Sequence, residues 1–93
     1  MTLEFEWNEN KASANVQKHG IQFDEAKTVF NDPNSITIPD TEHSLDEARY
    51  IDIGFSAQGR LLVVVYTERG SKIRIISSRQ ATATEARIYG QSE

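Results

Sequence analysis

The spacing of hydrophobic and polar positions predicts a strand followed by a helix at the start of the chain. Residues 3–7 alternate apolar and acidic side chains with a period of two, which is typical of a half-buried strand. Residues 9–19 are mostly helix formers, and they lie between Asn8, a suitable N-cap, and Gly20, a suitable left-handed C-cap. We therefore expect the first helix to run from about residue 9 to residue 19.

The pattern then changes from helical to strand-like. A second helix of about two turns is expected between Asp24, its predicted N-cap, and Pro33, which cannot continue it. From residue 35 onward the period is that of strands, beginning with a brief one at residues 36–38. Residues 40–47 are polar and acidic and predict a loop.

Closely spaced strand patterns dominate the second half of the chain. Short polar segments that contain glycine separate these strands, as in hairpins. The three longer strands are predicted at Arg49–Phe55, Leu61–Thr67 and Lys72–Ser78. Residues 61–65 are apolar on both faces, which predicts a central strand.

The pattern closes with a last helix. Thr82 or Thr84 is a suitable cap for it, and Gly90 is its expected end after Tyr89. The predicted order is β-α-α-β-β-β-β-α, an α+β fold with a mostly antiparallel sheet and helices on one side. A chain of 93 residues has the length of one domain, so we expect residues 1–93 to form a single unit.

Charge is unevenly distributed along the chain. The formal net charge is −4, which on its face argues against a nucleic-acid partner. Residues 1–59 hold four basic and eleven acidic side chains, a net −7, whereas residues 60–93 hold six basic and three acidic ones, a net +3. This asymmetry fits a basic working face on an acidic body, and it equally fits a small domain with a charge-balanced surface.

The amino-acid composition indicates where in the cell the protein acts and which cofactors it is expected to lack. The chain has no cysteine, its longest apolar run (61–66) is too short for a membrane helix, and its first residues are acidic, unlike a signal peptide. We therefore expect a cytoplasmic protein without a membrane partner. The glycines are scattered and no metal-ligand spacing occurs, so the sequence predicts neither a nucleotide cofactor nor a metal.

Basic side chains cluster on the last two predicted strands and in their connection. Arg74 lies in the middle of a strand, and strict alternation places it on one face with Lys72, Ile76 and Ser78. One interpretation is structural: Arg74 pairs with an acid such as Glu47 or Asp52. The other is functional, because guanidinium groups on a concave sheet clamp phosphates in a bidentate manner.

Candidate acids and bases are few. His19 lies in the last turn of the first helix, where capping explains it and acid–base chemistry is the alternative. His43, in the polar loop, is interpreted as a solvated residue. Tyr66 and Tyr89 each place a hydroxyl either at the edge of a site or in a packed core.

The sequence resembles a known family along nearly its whole length. Phe5-x-Trp7, Lys11-Ala12, Lys18-His19-Gly20-Ile21 and Phe23-x-Glu25-Ala26 are similar to the opening of BrnT-type toxins. The second half agrees, in the strings Gly59-Arg60-Leu61-Leu62, Thr67-x-Arg69 and Ile73-Arg74-Ile75-Ile76-Ser77-x-Arg79-x-Ala81-Thr82-x-x-Glu85. The resemblance implies a RelE-like fold and a ribonuclease that arrests translation. It also implies a ribbon–helix–helix antitoxin that blocks the toxin and connects it to DNA only indirectly.

On that basis we expect basic and hydroxyl side chains to take part in RNA cleavage by the substrate's own 2′-hydroxyl. The expected catalytic residues are Arg74 and Arg79 as phosphate clamps, with Tyr66 or His19 as acid or base. The expected RNA-binding residues are Arg60, Arg69, Lys72 and Arg87. Two alternatives stay open: a non-catalytic module that acts as co-repressor with the antitoxin, and a structural domain whose basic strands form a homodimer.

Overall fold

The computed structural model describes residues 3–43 and 47–91, and within them it has five β-strands and three α-helices. The strands are β1 (Glu4–Glu6), β2 (Ile36–Pro39), β3 (Arg49–Phe55), β4 (Leu61–Arg69) and β5 (Lys72–Gln80). The helices are α1 (Glu9–His19), α2 (Phe23–Ala26) and α3 (Ala83–Gln91), with short 3-10 helices at Lys27–Asn31 and Thr41–His43. The predicted α+β class and element order are confirmed. Of the predicted polar loop, residues 44–46 and the side chain of His43 lie outside the described part.

The strands form one sheet in the order β1-β5-β4-β3-β2. Neighbouring strands from β2 to β5 are antiparallel, and β1 pairs with β5 in parallel. The predicted central strand is confirmed, since β4 lies in the middle of the sheet. The parallel pairing of β1 places the start of the chain beside its most basic strand.

Helix α1 has the bounds that its capping residues predict. The Asn8 side chain accepts a hydrogen bond from the Lys11 amide at 3.0 Å, and Gly20 ends the helix with a left-handed φ of 72°. The buried Asn15 side chain bonds the backbone of Ser78 in both directions, donating at 2.9 Å and accepting at 3.1 Å. These bonds fix α1 across β5.

The second helix differs from the prediction. Its N-cap position is Gln22, so Asp24 lies in the first turn instead of capping it, and α2 passes into the 3-10 helix after four residues. Val29 of that segment packs so closely on Gly54 that a Cβ there would lie 3.0 Å from the valine and 2.9 Å from Ser35. Glycine in β3 thus allows this segment to sit directly on the sheet.

Two hydrophobic clusters lie on opposite faces of the sheet. The first packs α1 and α2 on the even-numbered positions of β4; its buried residues are Ile21, Phe23, Ala26, Val29, Leu62, Val64 and Ile75. The second contains Tyr89 of α3 and buried residues of two strands, Ile53 and Val63. The expectation of helices on one side is therefore correct for α1 and α2 and wrong for α3. We call the two surfaces the α1 face and the α3 face.

A β-bulge between β4 and β5 changes which residues share a face. Val65 pairs with Ser77 and Tyr66 pairs with Ile75, so Ile76 is the extra residue. Strict alternation wrongly places Ser78 with Arg74, because the bulge turns Ser78 toward the α1 face. For the same reason Arg79 returns to the α3 face, on the side of the sheet that Arg74 occupies.

Helix α3 begins with a capping box. The Thr82 hydroxyl accepts a hydrogen bond from the Glu85 amide at 3.2 Å, and the Glu85 carboxylate accepts one from the Thr82 amide at 2.8 Å. Of the two predicted caps, Thr82 is the one used. Gly90 does not end the helix, which continues to Gln91.

Candidate functional site

The α3 face carries a row of charged and polar side chains near the β4–β5 hairpin. Cross-strand pairing aligns Glu6 of β1, Arg74 of β5, Thr67 of β4 and Arg49 of β3 in one line. Strands lie about 4.8 Å apart, so Arg49 and Arg74 start about 10 Å from each other on either side of the shorter Thr67. Arg69 pairs with Lys72 in the next row toward the hairpin.

Three arginines of this region lie close enough to one carboxylate, that of Glu47, to lower its pKa. Arg69 donates two hydrogen bonds to Glu47, from Nε at 2.9 Å and from a terminal nitrogen at 3.0 Å. These bonds, together with the charges of Arg69, Arg74 and Arg49, hold the pKa of Glu47 below its usual value. We call Arg49, Arg69 and Arg74 the arginine cluster.

Arg74 has a carboxylate partner that sequence reasoning missed. Its NH1 group donates to Glu6 Oε2 at 3.1 Å, and both side chains are just over a quarter exposed. The expected structural partners were Glu47 and Asp52; Glu47 instead pairs with Arg69, and Asp52 is on the α1 face opposite Val64. Alternation alone assigns Glu6 to the polar face of β1, but only the long-range pairing with β5 brings it to Arg74.

Arg79 lies on the α3 face outside the arginine cluster. It is five residues beyond Arg74, roughly 15 Å along the strand. Its two terminal nitrogens each donate to the Glu85 carboxylate at 2.8 Å. The arginine thereby connects β5 to the start of α3.

The other predicted RNA-binding arginines lie elsewhere. Arg60 is at the opposite end of β4, where it forms two hydrogen bonds with the buried carboxylate of Glu25. Arg87 is exposed on α3 and donates to Thr84 at 3.3 Å. Lys72, also exposed, is the one further predicted basic residue that the structure places next to the cluster.

The predicted acid–base residues are not on the α3 face. Tyr66 faces the α1 side, 6% exposed, with its ring 4.9 Å from that of Phe30 and its hydroxyl donating to Asp52 at 3.1 Å. Burial, followed by the charge of Asp52, raises the pKa of Tyr66 well above its usual value. His19 ends α1 next to Gly20, whose carbonyl accepts from Arg60 at 3.5 Å, so this end of α1 is at the far end of the sheet. The structure therefore does not bring either residue together with Arg74.

Within residues 3–43 and 47–91, no group of three or more histidine or acidic side chains is arranged so that it could hold a metal ion. In the same segments, no helix is both long and apolar enough to cross a membrane.

A family model and a solved structure show what this chain is similar to. Residues 7–85 match the family model described as the ribonuclease toxin BrnT of a type II toxin–antitoxin system. The crystal structure of the ribonuclease toxin BrnT from Brucella abortus has a similar fold, with a TM-score of 0.67 and 24% sequence identity over 87% of this chain and 99% of that one. A search of curated proteins gave no significant match. Because the family match spans most of the sequence, the chain belongs to the BrnT family of ribonuclease toxins of type II toxin–antitoxin systems.

Proposed function

We propose that this toxin is a metal-independent endoribonuclease that cleaves RNA at the arginine cluster and thereby inhibits translation. The observation that carries the proposal is the strand register, which places Arg49, Arg69 and Arg74 in neighbouring rows of the α3 face, with Arg69 bonded to Glu47. Guanidinium groups bind phosphate oxygens in a bidentate manner and stabilise the charge that develops as a phosphodiester is cleaved. The family description, a ribonuclease toxin, supports the same reaction class.

The ion pairs of the cluster are weak enough for an RNA phosphate to compete with them. Arg69 and Glu47 are 48% and 44% exposed, and exposed pairs of this kind contribute only about 0–1 kcal/mol. An RNA phosphate can therefore replace the carboxylate at small cost. Among residues 3–43 and 47–91, Arg74 is hydrogen-bonded to Glu6 through NH1, and its other N–H groups have no acceptor there that would exclude a ligand.

The proposed reaction uses the substrate's own 2′-hydroxyl as nucleophile. Attack on the adjacent phosphorus gives a 2′,3′-cyclic phosphate and a free 5′-hydroxyl, and the protein supplies positioning and charge stabilisation. This reaction needs no metal, because the substrate supplies the nucleophile and the arginines supply the positive charge.

A type II system provides an antitoxin partner, and we propose that it is a ribbon–helix–helix protein of the BrnA type. In this proposal the toxin acts in the cytoplasm and contacts DNA only through the antitoxin. Support comes from the resemblance in sequence, as it does for the RelE-like character of the fold, which stays a prediction.

The test of the proposed function is RNA cleavage by the purified toxin in EDTA. We expect products with cyclic-phosphate ends, from naked RNA or from RNA on ribosomes, and a loss of at least about 100-fold in rate for Arg74→Ala. Arg87→Ala is the matched control, because it removes an exposed arginine away from the cluster. Full activity of a folded Arg74→Ala variant would remove the cluster from the site, and a requirement for added metal would contradict the mechanism.

One observation favours a second candidate function. Arg69, Arg74 and Arg79 each have a carboxylate partner, as in a protein whose basic residues serve structure or protein binding. The chain would then be a non-catalytic module that acts as co-repressor with the antitoxin. Intact RNA in every cleavage assay, together with tight antitoxin binding, is the result that distinguishes this module from the enzyme.

A further inference from the structure

We propose that Glu6 is the general base that removes the proton of the RNA 2′-hydroxyl. The inference rests on the proposed function, because it assigns a catalytic residue to the same site. It starts from the juxtaposition of a carboxylate on β1 with the arginine in the middle of β5, across the parallel pairing of these strands. An arginine that holds the phosphate and a carboxylate beside it form the minimum set for this reaction: one group neutralises charge, and the other accepts a proton.

The contacts of Glu6 leave it able to act. Its Oε2 accepts one hydrogen bond from Arg74 at 3.1 Å, and no further hydrogen bond to its carboxylate is found within the described residues. The side chain is 29% exposed, so substrate can reach it while Arg74 limits its orientation. In this proposal, a phosphate bound to the other N–H groups of Arg74 brings the adjacent ribose toward Oε1.

Glu47, the other carboxylate of the cluster, is less suited to this role. Both of its oxygens accept hydrogen bonds from Arg69, at 3.0 Å and 2.9 Å. Arg69, Arg74 and Arg49 lower the pKa of Glu47, and a carboxylate with a lowered pKa is a weaker base. Glu47 is therefore a positioning residue that holds Arg69.

Each proton that moves in the proposed step has a donor and an acceptor, and one bond to phosphorus breaks as another forms. The 2′-hydroxyl loses its proton to Glu6, the 2′-oxygen forms a bond to phosphorus, and the bond from phosphorus to the 5′-oxygen breaks. The departing 5′-oxygen takes a proton from water, and Glu6 returns its proton to solvent. Arg74 keeps the Glu6 carboxylate oriented through its hydrogen bond to Oε2.

The test compares Glu6→Gln with Glu4→Gln, which alters the carboxylate two positions away on the same face of β1. Glutamine keeps the shape and the hydrogen bond to Arg74 and removes the base. We expect single-turnover cleavage by Glu6→Gln to fall about 10²–10⁴-fold and its pH–rate profile to lose the acid limb. Binding of RNA that carries a 2′-O-methyl group at the cleavage site, and the activity of Glu4→Gln, should stay within about threefold of the wild type.

Each other outcome overturns a specific statement. A folded Glu6→Gln variant with nearly wild-type rate excludes Glu6 as base and leaves the proposed function intact. A loss of rate matched by an equal loss of affinity for the methylated RNA shows that Glu6 only positions Arg74. If the wild type itself cleaves neither naked nor ribosome-bound RNA, the proposed function fails and this inference with it.

A second variant covers the case in which glutamine prevents folding. Glu6→Asp keeps a carboxylate and withdraws it by one methylene. We expect this variant to cleave more slowly than the wild type while its pH–rate profile keeps the acid limb. Loss of that limb in a folded Glu6→Asp variant, with binding unchanged, would overturn the assignment.

Discussion

Arginine–carboxylate pairs of this toxin differ most in the exposure of the carboxylate. The Glu25 side chain that holds Arg60 is 8% exposed, whereas the Glu47 side chain that holds Arg69 is 44% exposed. Removing one member of a buried pair leaves an unpaired charge, so Arg60 is bound for structural reasons. An exposed pair opens at little cost, and this makes Arg69 suitable for binding an incoming phosphate.

The position of Tyr66 leads to a prediction at the residue scale. Its hydroxyl is buried on the α1 face and donates to Asp52, whose pKa is raised by burial, an effect that the hydrogen bonds from Thr37 and Tyr66 offset only in part. We expect Tyr66→Phe to cleave RNA within about threefold of the wild type and to lower the free energy of unfolding by about 1–2 kcal/mol through the lost hydrogen bond. Single-turnover cleavage and urea denaturation measure the two effects. A loss of 100-fold or more in rate, in a stable variant, would instead make Tyr66 catalytic.

At the scale of elements, the sequence predicted the helix and strand bounds that depend on interactions between residues close together in the chain. The first helix has its predicted bounds because Asn8 and Gly20 act within one turn of its ends. The three hairpin strands were likewise predicted from alternation and turn residues, and β4 and β5 each extend two residues further than expected. Such features depend on contacts between residues close in sequence.

Long-range contacts decide what the sequence did not predict. The pairing of β1 with β5 joins residues almost seventy positions apart, and no local pattern indicates Glu6 as the partner of Arg74. The bulge at Ile76 depends on how β4 and β5 pair, and it alone brings Arg79 to the face of Arg74. Two members of the arginine cluster, Arg69 and Arg74, could therefore be predicted from the sequence, whereas Arg49 and the geometry of the cluster could not.

The connection between β5 and α3 gives a prediction at this scale. Arg79, chiefly through its hydrogen bonds, lowers the pKa of Glu85 to about 2, from a usual value of 4.5. A carboxyl whose pKa is lower in the folded chain stabilises the fold above its unfolded pKa, and this stabilisation is lost as the pH falls through the folded value. We expect Glu85→Gln to lower the free energy of unfolding by about 1–3 kcal/mol at pH 7.

The pH dependence of stability distinguishes two roles of Glu85, as the ion-pair partner of Arg79 and as part of the capping box of α3. The difference between wild type and Glu85→Gln should shrink as the pH falls from about 4.5 to about 2, because the wild-type carboxyl becomes protonated over this range. Urea denaturation followed by circular dichroism at several pH values measures it. Glu68→Gln, at an exposed position, is the control and should change little. A difference that is equal at both ends of the range would show that Glu85 acts only as a neutral cap.

At the scale of the whole molecule, the distribution of charge confines RNA binding to a small part of the surface. Residues 1–59 carry a net −7 and residues 60–93 a net +3, so the molecule as a whole does not attract a polyanion. The parallel pairing of β1 even brings two glutamates to the basic strand, opposite Lys72 and Arg74. Affinity must therefore come from a few close contacts at the arginine cluster and not from a broad basic surface.

The salt dependence of binding tests this view of the molecule. Three arginines that neutralise about three phosphates of single-stranded RNA predict a slope of about −2 in a plot of log affinity against log salt, or roughly a 20-fold loss between 50 and 200 mM. Fluorescence anisotropy with uncleavable 2′-O-methyl RNA measures the slope. Arg74→Ala should reduce its magnitude by about 0.7, whereas Arg87→Ala should leave it unchanged. An affinity that does not vary with salt would mean that the cluster keeps its carboxylate partners when RNA binds, and the phosphate would then have to be held by other groups.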